Sequence, residues 1–202
     1  MVYRTALWFG LVMALLIQKD IYAAGDPVEG RVKFYACGGC HSIPGYSNAF
    51  PTYPVPRLGR QNKEFIISAL NEYRSGARQH GSMEGNANGL SEQDIANIAA
   101  FLTEQRSAQY RSPVTGDAVS GKAKAGACGG CHGESGVSPV GGIPTLASQY
   151  EGYLIKALKD YRSGKRGNPV MVNIASTLKD DDVRDISAFY ASQENGVVVV
   201  SD

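Results

Sequence analysis

The sequence predicts a mainly α-helical protein built from two tandem domains of the same design. The first observation is an internal repeat, in which the second half of the chain matches the first half at a nearly constant spacing. The second observation is that apolar residues within each copy recur with the period of an α-helix. The third is that no alternating run of strand length is found, apart from a short extended tail predicted at residues 197–200.

The repeat is clearest in two short motifs. The sequence Cys-Gly-Gly-Cys-His at 37–41 returns at 128–132, and Tyr-Arg-Ser-Gly at 73–76 returns at 161–164. The spacing is 91 residues up to the first histidine and 88 after the loop that follows it, because that loop is longer in the first copy. A unit of this length is too long for a solenoid repeat and fits a small domain.

We therefore expect an N-terminal domain over residues 25–108 and a C-terminal domain over residues 109–202. A stretch at 106–116 contains Ser, Gln, Pro and Gly without apolar periodicity, so the linker is predicted there. Residues 1–24 read as an export signal, because Arg4 precedes an apolar run and small residues follow it. An uncleaved N-terminal anchor is the alternative, because polar residues lie between the apolar run and the cleavage point.

Each copy contains an early and a later amphipathic helix. The early helices place one apolar face at Phe65, Ile66, Ala69, Leu70 and Tyr73, and at Tyr153, Leu154, Ala157, Leu158 and Tyr161. The later helices place theirs at Ile95, Ile98, Ala99 and Leu102, and at Val183, Ile186, Phe189 and Tyr190. Ser91, three residues before Asp94, predicts a capping box at the start of the first later helix, whereas Lys179 replaces the serine in the second.

Charged residues are nearly balanced. The chain has 20 Lys plus Arg and 19 Asp plus Glu, which gives a formal net charge of +1 at pH 7. Proteins that bind nucleic acid or acidic membranes by charge carry a clear excess of basic residues. The composition therefore gives no indication of either partner, and no nucleic acid is expected.

The four cysteines form the two pairs Cys37 with Cys40 and Cys128 with Cys131. In an exported chain, four cysteines would ordinarily indicate two disulfides. Here a histidine follows each pair at once, and C-x-x-C-H is the signature of covalent haem c attachment. Thiols three residues apart share one face of a helical turn, so both can add to the vinyl groups on one edge of a porphyrin.

Three other uses of a cysteine pair are less consistent with the sequence. Structural zinc needs four ligands brought together, but these pairs lie in separate copies of a complete repeat. A thioredoxin-like pair would require a βαβ setting, and plain disulfides do not account for a histidine after both pairs. We therefore predict two covalently attached haem c groups, with His41 and His132 as iron ligands. A flat apolar cofactor would also give each domain of about 85 residues the core it lacks.

Methionine usage gives an independent indication of the remaining iron ligands. Only Met83 and Met171 lie outside the N-terminal segment, and they occupy matched positions in the two copies. A lone methionine is commonly core filler, but that role does not place both in register. Thioether sulfur opposite imidazole is the usual pair in carrier cytochromes c, so Met83 and Met171 are predicted to bind the two irons.

These residues resemble those of class I cytochromes c, and specifically the two-domain, dihaem cytochrome c4 family. The resemblance covers essentially all of the chain after residue 24. It rests on the two CGGCH motifs, on Tyr-Arg-Ser-Gly-x-Arg at 73–78 and 161–166, and on Met, Ala and Leu at 83, 87 and 90 and again at 171, 175 and 178. The implied fold is all-α: two tandem class I cytochrome c domains, each wrapped round a covalently bound haem.

The resemblance also implies roles for residues around each haem. In class I cytochromes c a proline beyond the haem histidine offers its carbonyl to the imidazole N–H, which orients the ligand. Pro56 and Pro144 are the candidates here. The family packs its domains about a pseudo-twofold axis with the propionates near the interface. Candidates for propionate contacts are Tyr73, Tyr161, Arg78 and Arg166.

The implied function is that of a periplasmic electron carrier between a quinol-oxidising cytochrome bc complex, or another donor, and terminal oxidases or reductases. Partners would then be these complexes or small periplasmic redox carriers, and attachment to the inner membrane stays open. A haem enzyme or its cytochrome subunit, acting on peroxide or sulfur compounds, is the alternative. Paired methionine ligands favour the carrier, because they leave the iron no open coordination position.

The first copy departs from the second in two places. His80 lies three residues before Met83 where the second copy has Asn168, so a bis-histidine first haem is a rival arrangement. The loop at 45–54 is also longer and contains Tyr46, Phe50 and Tyr53, which are candidates to shield the haem edge or to contact a partner.

Overall fold

The computed structural model describes residues 24–49, 52–107 and 111–201. The predicted export signal lies outside this part of the chain except for Ala24, and so does Phe50. Among the described residues, no helix is both long enough and apolar enough to cross a membrane.

Within residues 24–49 and 52–107, the first domain contains four helices. They are α1 (Pro27–His41), α2 (Lys63–Ser75), α3 (Gly81–Ala87) and α4 (Glu92–Thr103). The first helix packs against the last, α2 packs against both α3 and α4, and the loop between α1 and α2 carries Pro56.

The second domain repeats this arrangement with the first helix divided in two. Its helices are α5 (Ala118–Lys124), α6 (Gly126–His132), α7 (Glu151–Arg162), α8 (Pro169–Thr177) and α9 (Asp180–Ser192). Here α5 packs against α9, and α7 packs against both α8 and α9. The predicted all-α architecture of two tandem domains is confirmed.

In both domains the first and last helices cross with their backbones in close contact. A Cβ atom on Gly30 would lie 2.0 Å from the carbonyl oxygen of Asn97, and one on Gly121 would lie 1.9 Å from that of Asp185. Only glycine fits at such a crossing point. The predicted start of α4 agrees with the structure, because Asp94 N donates to Ser91 Oγ at 3.1 Å while Ser91 N donates to Asp94 Oδ2 at 3.0 Å.

The predicted apolar faces of the later helices are buried. This holds for Ile95, Ile98, Ala99 and Leu102 in α4 and for Val183, Ile186, Phe189 and Tyr190 in α9. The early helices differ: of their predicted faces, only Ile66 in α2 and Leu154 in α7 are fully covered by protein. The rest of each face is half-buried and available to a flat apolar group.

The C-terminal tail crosses from the second domain to the first. In the tail predicted to be extended, at residues 197–200, Val198 forms an isolated antiparallel bridge with Gly59 and exchanges backbone hydrogen bonds with it at 2.9 and 3.0 Å. Val200 is 2% exposed and belongs to the hydrophobic core of the first domain. The tail therefore ties the two domains together, a role that its sequence pattern did not indicate.

Two matched glutamines join the domains by reciprocal hydrogen bonds. Gln61 Nε2 donates to the carbonyl of Thr145 at 3.0 Å, and Thr145 N donates to Gln61 Oε1 at 2.8 Å. Gln149 makes the same pair of bonds with the backbone of Arg57, each at 2.9 Å. All four residues are buried, so the bonds lie in a region that excludes water.

We expect Gln61→Leu to lower the free energy of unfolding by about 3 kcal/mol. The substitution leaves the buried N–H and C=O of Thr145 without partners, and each such group costs about 1–3 kcal/mol. Denaturant unfolding of the haem-loaded protein measures the loss. Gln93→Leu is the control, because Gln93 bonds to Asn97 within one domain. If both variants lost the same free energy of unfolding, the bonds between the domains would stabilise the protein no more than a bond within one domain.

Candidate haem sites

Each cysteine pair lies in the last turn of a helix, directly before its histidine. Cys37 and Cys128 are half-buried, Cys40 and Cys131 are exposed, and the four thiols form no disulfide. Burial raises the pKa of Cys37 and of Cys128, so both are thiols at neutral pH until haem is attached. Among the described residues, no group of three or more His, Cys, Asp or Glu side chains is placed to hold a metal ion.

Both motif histidines are oriented by a proline carbonyl. His41 Nδ1 lies 3.0 Å from the carbonyl oxygen of Pro56, and His132 Nδ1 lies 2.8 Å from that of Pro144. A carbonyl oxygen can only accept, so Nδ1 carries the proton and donates it. The lone pair of the neutral ring is then on Nε2.

The two rings are also held neutral. His41 is 8% exposed and His132 is 6% exposed. Burial lowers the pKa of both, and this outweighs the opposite effect of the proline carbonyls. A neutral imidazole with a free Nε2 is the form that binds iron. The hydrogen bonds to Pro56 and Pro144 are those that the resemblance implies, and iron ligation by His41 and His132 stays a prediction.

The two methionines occupy the same place in two matched short helices. Met83 is the third residue of α3 and Met171 the third residue of α8, and both are half-buried. In each helix the methionine N–H donates to the side chain of the N-cap residue. The acceptor is His80 Nδ1 at 3.4 Å in α3 and Asn168 Oδ1 at 3.1 Å in α8.

His80 is thus a helix cap in the structure, with both ring nitrogens in hydrogen bonds. Its Nε2 lies 2.6 Å from the Tyr53 hydroxyl, and its backbone N donates to Glu84 Oε1 at 2.6 Å. Burial lowers the pKa of His80, and the charge of Lys156 lowers it further. The sequence indicated His80 as a rival ligand, but its capping role was not predicted.

Two arginines meet at the interface between the domains. Arg78 and Arg166 pair as an isolated antiparallel bridge across the interface, and they are 4% and 8% exposed. Both donate to the hydroxyl of Tyr153, at 3.0 and 3.2 Å. Their guanidinium groups also lie over the rings of Tyr73 and Tyr161, at 4.7 and 5.5 Å from the centroids.

The interface carries an excess of positive charge. Burial opposes ionisation of Tyr153, but the charges of Arg166 and Arg78 outweigh it and lower the pKa to about 8. Arg166 lies 3.6 Å from the carboxylate of Asp160, whereas Arg78 has no ion pair with any described residue and its buried Nε has no hydrogen-bond partner. A buried cation needs an anion beside it.

The residues present therefore fit haem. Each domain offers a cysteine pair, an oriented neutral imidazole and an apolar helix face only half-covered by protein. The interface offers buried arginines suited to propionate carboxylates. The predicted arginine contacts with propionates are consistent with this charge excess and stay a prediction.

Comparison with known proteins gives the same assignment. The cytochrome c family model matches residues 28–106 and again 118–194. A cytochrome c4 from Pseudomonas aeruginosa is 46% identical over 196 residues, which are 91% of this chain and 96% of that protein. A thiosulfate dehydrogenase electron acceptor from Stutzerimonas stutzeri is 29% identical over 188 residues, which are 86% of this chain and 85% of that protein.

A solved structure shows the same fold. Reduced recombinant cytochrome c4 from Pseudomonas stutzeri superimposes with a TM-score of 0.69 at 27% identity, covering 85% of this chain and 100% of that one.

The fold and the two sites define a c-type cytochrome with two haem domains. Two haem c groups are attached to this chain, at the cysteine pairs 37/40 and 128/131, as predicted. The chain belongs to the cytochrome c4 family. It is accordingly a dihaem electron-transfer protein.

We expect Arg78→Leu to lower a haem reduction potential by tens of millivolts. A nearby positive charge favours the reduced haem, which carries one less positive charge, so its removal shifts the potential downward. Arg78→Lys retains the charge and should shift the potential much less. A spectroelectrochemical titration checks both variants. Unchanged potentials in Arg78→Leu would show that this charge does not act on either haem.

Proposed function

We propose that the protein carries electrons through the periplasm from a quinol-oxidising cytochrome bc complex, or another donor, to terminal oxidases or reductases. The axial ligands are His41 and Met83 at the first haem and His132 and Met171 at the second. The observation that carries this proposal is the matched position of the two methionines. Each is the third residue of a short helix, and each has its N–H bonded to the N-cap side chain.

Methionine ligation suits a carrier for two physical reasons. Thioether sulfur favours ferrous iron, which raises the reduction potential and supports delivery of electrons to a high-potential acceptor. With both axial positions filled, the iron has no site for peroxide or another substrate. The neutral, carbonyl-bonded imidazoles of His41 and His132 complete the pair of ligands, since the second hydrogen bond fixes the ring orientation.

A second donor has specific support. The Stutzerimonas stutzeri relative is named for accepting electrons from thiosulfate dehydrogenase. Electrons from a sulfur-oxidising enzyme are therefore a candidate input for this chain as well. Such a donor keeps the carrier role of this chain and changes only the source of its electrons. The haem-enzyme alternative changes the role itself, because it needs an iron that opens a coordination position.

The proposed location follows from the N-terminal segment and the haem chemistry. Residues 1–24 carry the pattern of an export signal, and haem c attachment suits an exported chain. We propose that the segment is removed after residue 24 and that the mature protein acts in the periplasm.

We expect Met83→Ala and Met171→Ala each to remove about half of the weak red charge-transfer band that oxidised, methionine-ligated haem shows. His80→Ala should leave the band nearly intact, because His80 caps α3 in this assignment. Absorption spectra of the oxidised proteins, normalised to haem content, measure the effect. A band of one-haem intensity in the unaltered protein, unchanged in Met83→Ala, would reverse the assignment of the first haem.

We expect the reduced protein not to bind carbon monoxide and not to turn over peroxide or thiosulfate by itself. Filled axial positions leave no vacant site on either iron. Carbon monoxide difference spectra and steady-state assays of the purified protein test this. Met171→Ala is the positive control, because it opens one position. Carbon monoxide binding by the unaltered protein at one haem equivalent would favour the enzyme alternative.

A further inference from the structure

The N-cap of the methionine-bearing helix differs between the two domains. In α8 the cap is Asn168, whose amide cannot compete for iron. In α3 the cap is His80, whose imidazole is an excellent iron ligand, and it lies three residues before Met83. The first domain therefore carries a rival ligand beside its proposed sixth ligand, and the second domain does not.

The hydrogen bonds of His80 determine which ring nitrogen carries its proton. Nδ1 accepts from the N–H of Met83 at 3.4 Å, so in the neutral ring the proton is on Nε2. The Nε2–H group then donates to the Tyr53 hydroxyl oxygen at 2.6 Å. Ligation of iron through Nε2 would require the Tyr53 bond to break and the proton to move to Nδ1. The cap on Met83 N–H would be lost at the same time.

Tyr53 is held firmly enough to maintain this bond. Its side chain is 7% exposed, and its carbonyl accepts from Asn48 N at 3.1 Å within the long loop of the first domain. The second domain supports the same loop from outside. Lys156 Nζ lies 5.0 Å from the Tyr53 ring centroid, and Gly45 N donates to the Tyr150 hydroxyl at 2.8 Å.

The tyrosine and the histidine also occur together in the repeat. Aligning Pro56 with Pro144 places Tyr53 on Gly141, just as His80 falls on Asn168. In the first domain, the N-cap residue His80 can bind iron, and the Tyr53 hydroxyl is bonded to it. In the second domain, the N-cap residue cannot bind iron, and Gly141 stands at the position of the tyrosine. Because both copies share one scaffold, this paired difference indicates a function for the hydroxyl.

We propose that Tyr53 is a positioning residue that holds His80 away from the iron of the first haem and thereby preserves Met83 as its sixth ligand. This inference rests on the proposed ligation by Met83. The role belongs to the hydroxyl group, since the bond to Nε2 is what restrains the imidazole.

The test is Tyr53→Phe in the haem-loaded protein, which removes the hydroxyl and keeps the ring. We expect the charge-transfer band of the oxidised protein to fall toward half of its original intensity. We also expect the potential of the first haem to fall while that of the second is unchanged, because imidazole replaces thioether at one iron. Electron paramagnetic resonance should show one bis-histidine haem.

The matched variant is Tyr53→Phe combined with His80→Asn, which copies the cap of the second domain. Asparagine can accept the Met83 N–H but cannot bind the iron, so the band and the potential should return to their original values. His80→Asn alone should change neither. A band lost equally in the single and double variants would assign the loss to a disordered loop and would overturn the proposal.

Different results would overturn ligation by Met83 and the role of Tyr53. An unaltered protein with the band at one-haem intensity would overturn ligation by Met83 and the role of Tyr53 together. An unaltered protein with two-haem intensity, combined with no change in Tyr53→Phe, would overturn the role of Tyr53 alone.

Discussion

The close crossing of the first and last helices is the contact on which each domain depends. At Gly30 and Gly121 the backbone of one helix lies directly on a carbonyl of the other, with no room for a side chain. The crossing fixes the direction of α1 in the first domain and of α5, which α6 follows, in the second. The haem-binding motifs lie at the ends of α1 and α6. The early helices then pack on the same last helices, so the half-covered apolar faces of α2 and α7 are set relative to the cysteines and histidines. A covalent haem between these elements completes a core that about 85 residues of protein could not build alone.

The interface between the domains is symmetrical in backbone and asymmetrical in charge. Gln61 and Gln149 make equivalent bonds, and Arg78 pairs with Arg166. Asp160 nevertheless lies beside Arg166, whereas the residue at its position in the first copy, Glu72, accepts a hydrogen bond from Ser68 instead. One buried arginine therefore has a protein carboxylate and the other does not. Because charge near a buried haem shifts its affinity for an electron, we expect the two haems of this nearly repeated chain to differ in reduction potential.

Local patterns in the sequence predicted most of what is local in the structure. The repeat gave the two domains, periodicity gave the buried faces of α4 and α9, and Ser91 with Asp94 gave a helix start at the correct residue. The spacing of C-x-x-C-H predicted the haem groups because attachment needs only one helical turn.

Contacts between distant residues were not predicted. Val200 enters the core of the other domain, and nothing in its tetrapeptide of valines indicates which surface it covers. The matched glutamines were visible, but their partners are backbone groups, which leave no signature in a sequence.

His80 shows why a residue type alone did not define its role. As a free imidazole, His80 would compete with Met83 for the iron. As a helix cap, it stabilises the short helix that carries Met83. Which role it takes depends on Tyr53, which comes from a loop supported by Tyr150 and Lys156 of the second domain. Packing between the domains and ligand choice at the first iron are thus energetically linked. A partner that moved the second domain, or lifted this loop, would act on the first haem without touching its ligands. The longer loop of the first copy, which at first reads as a simple insertion, is the element through which such an effect would pass.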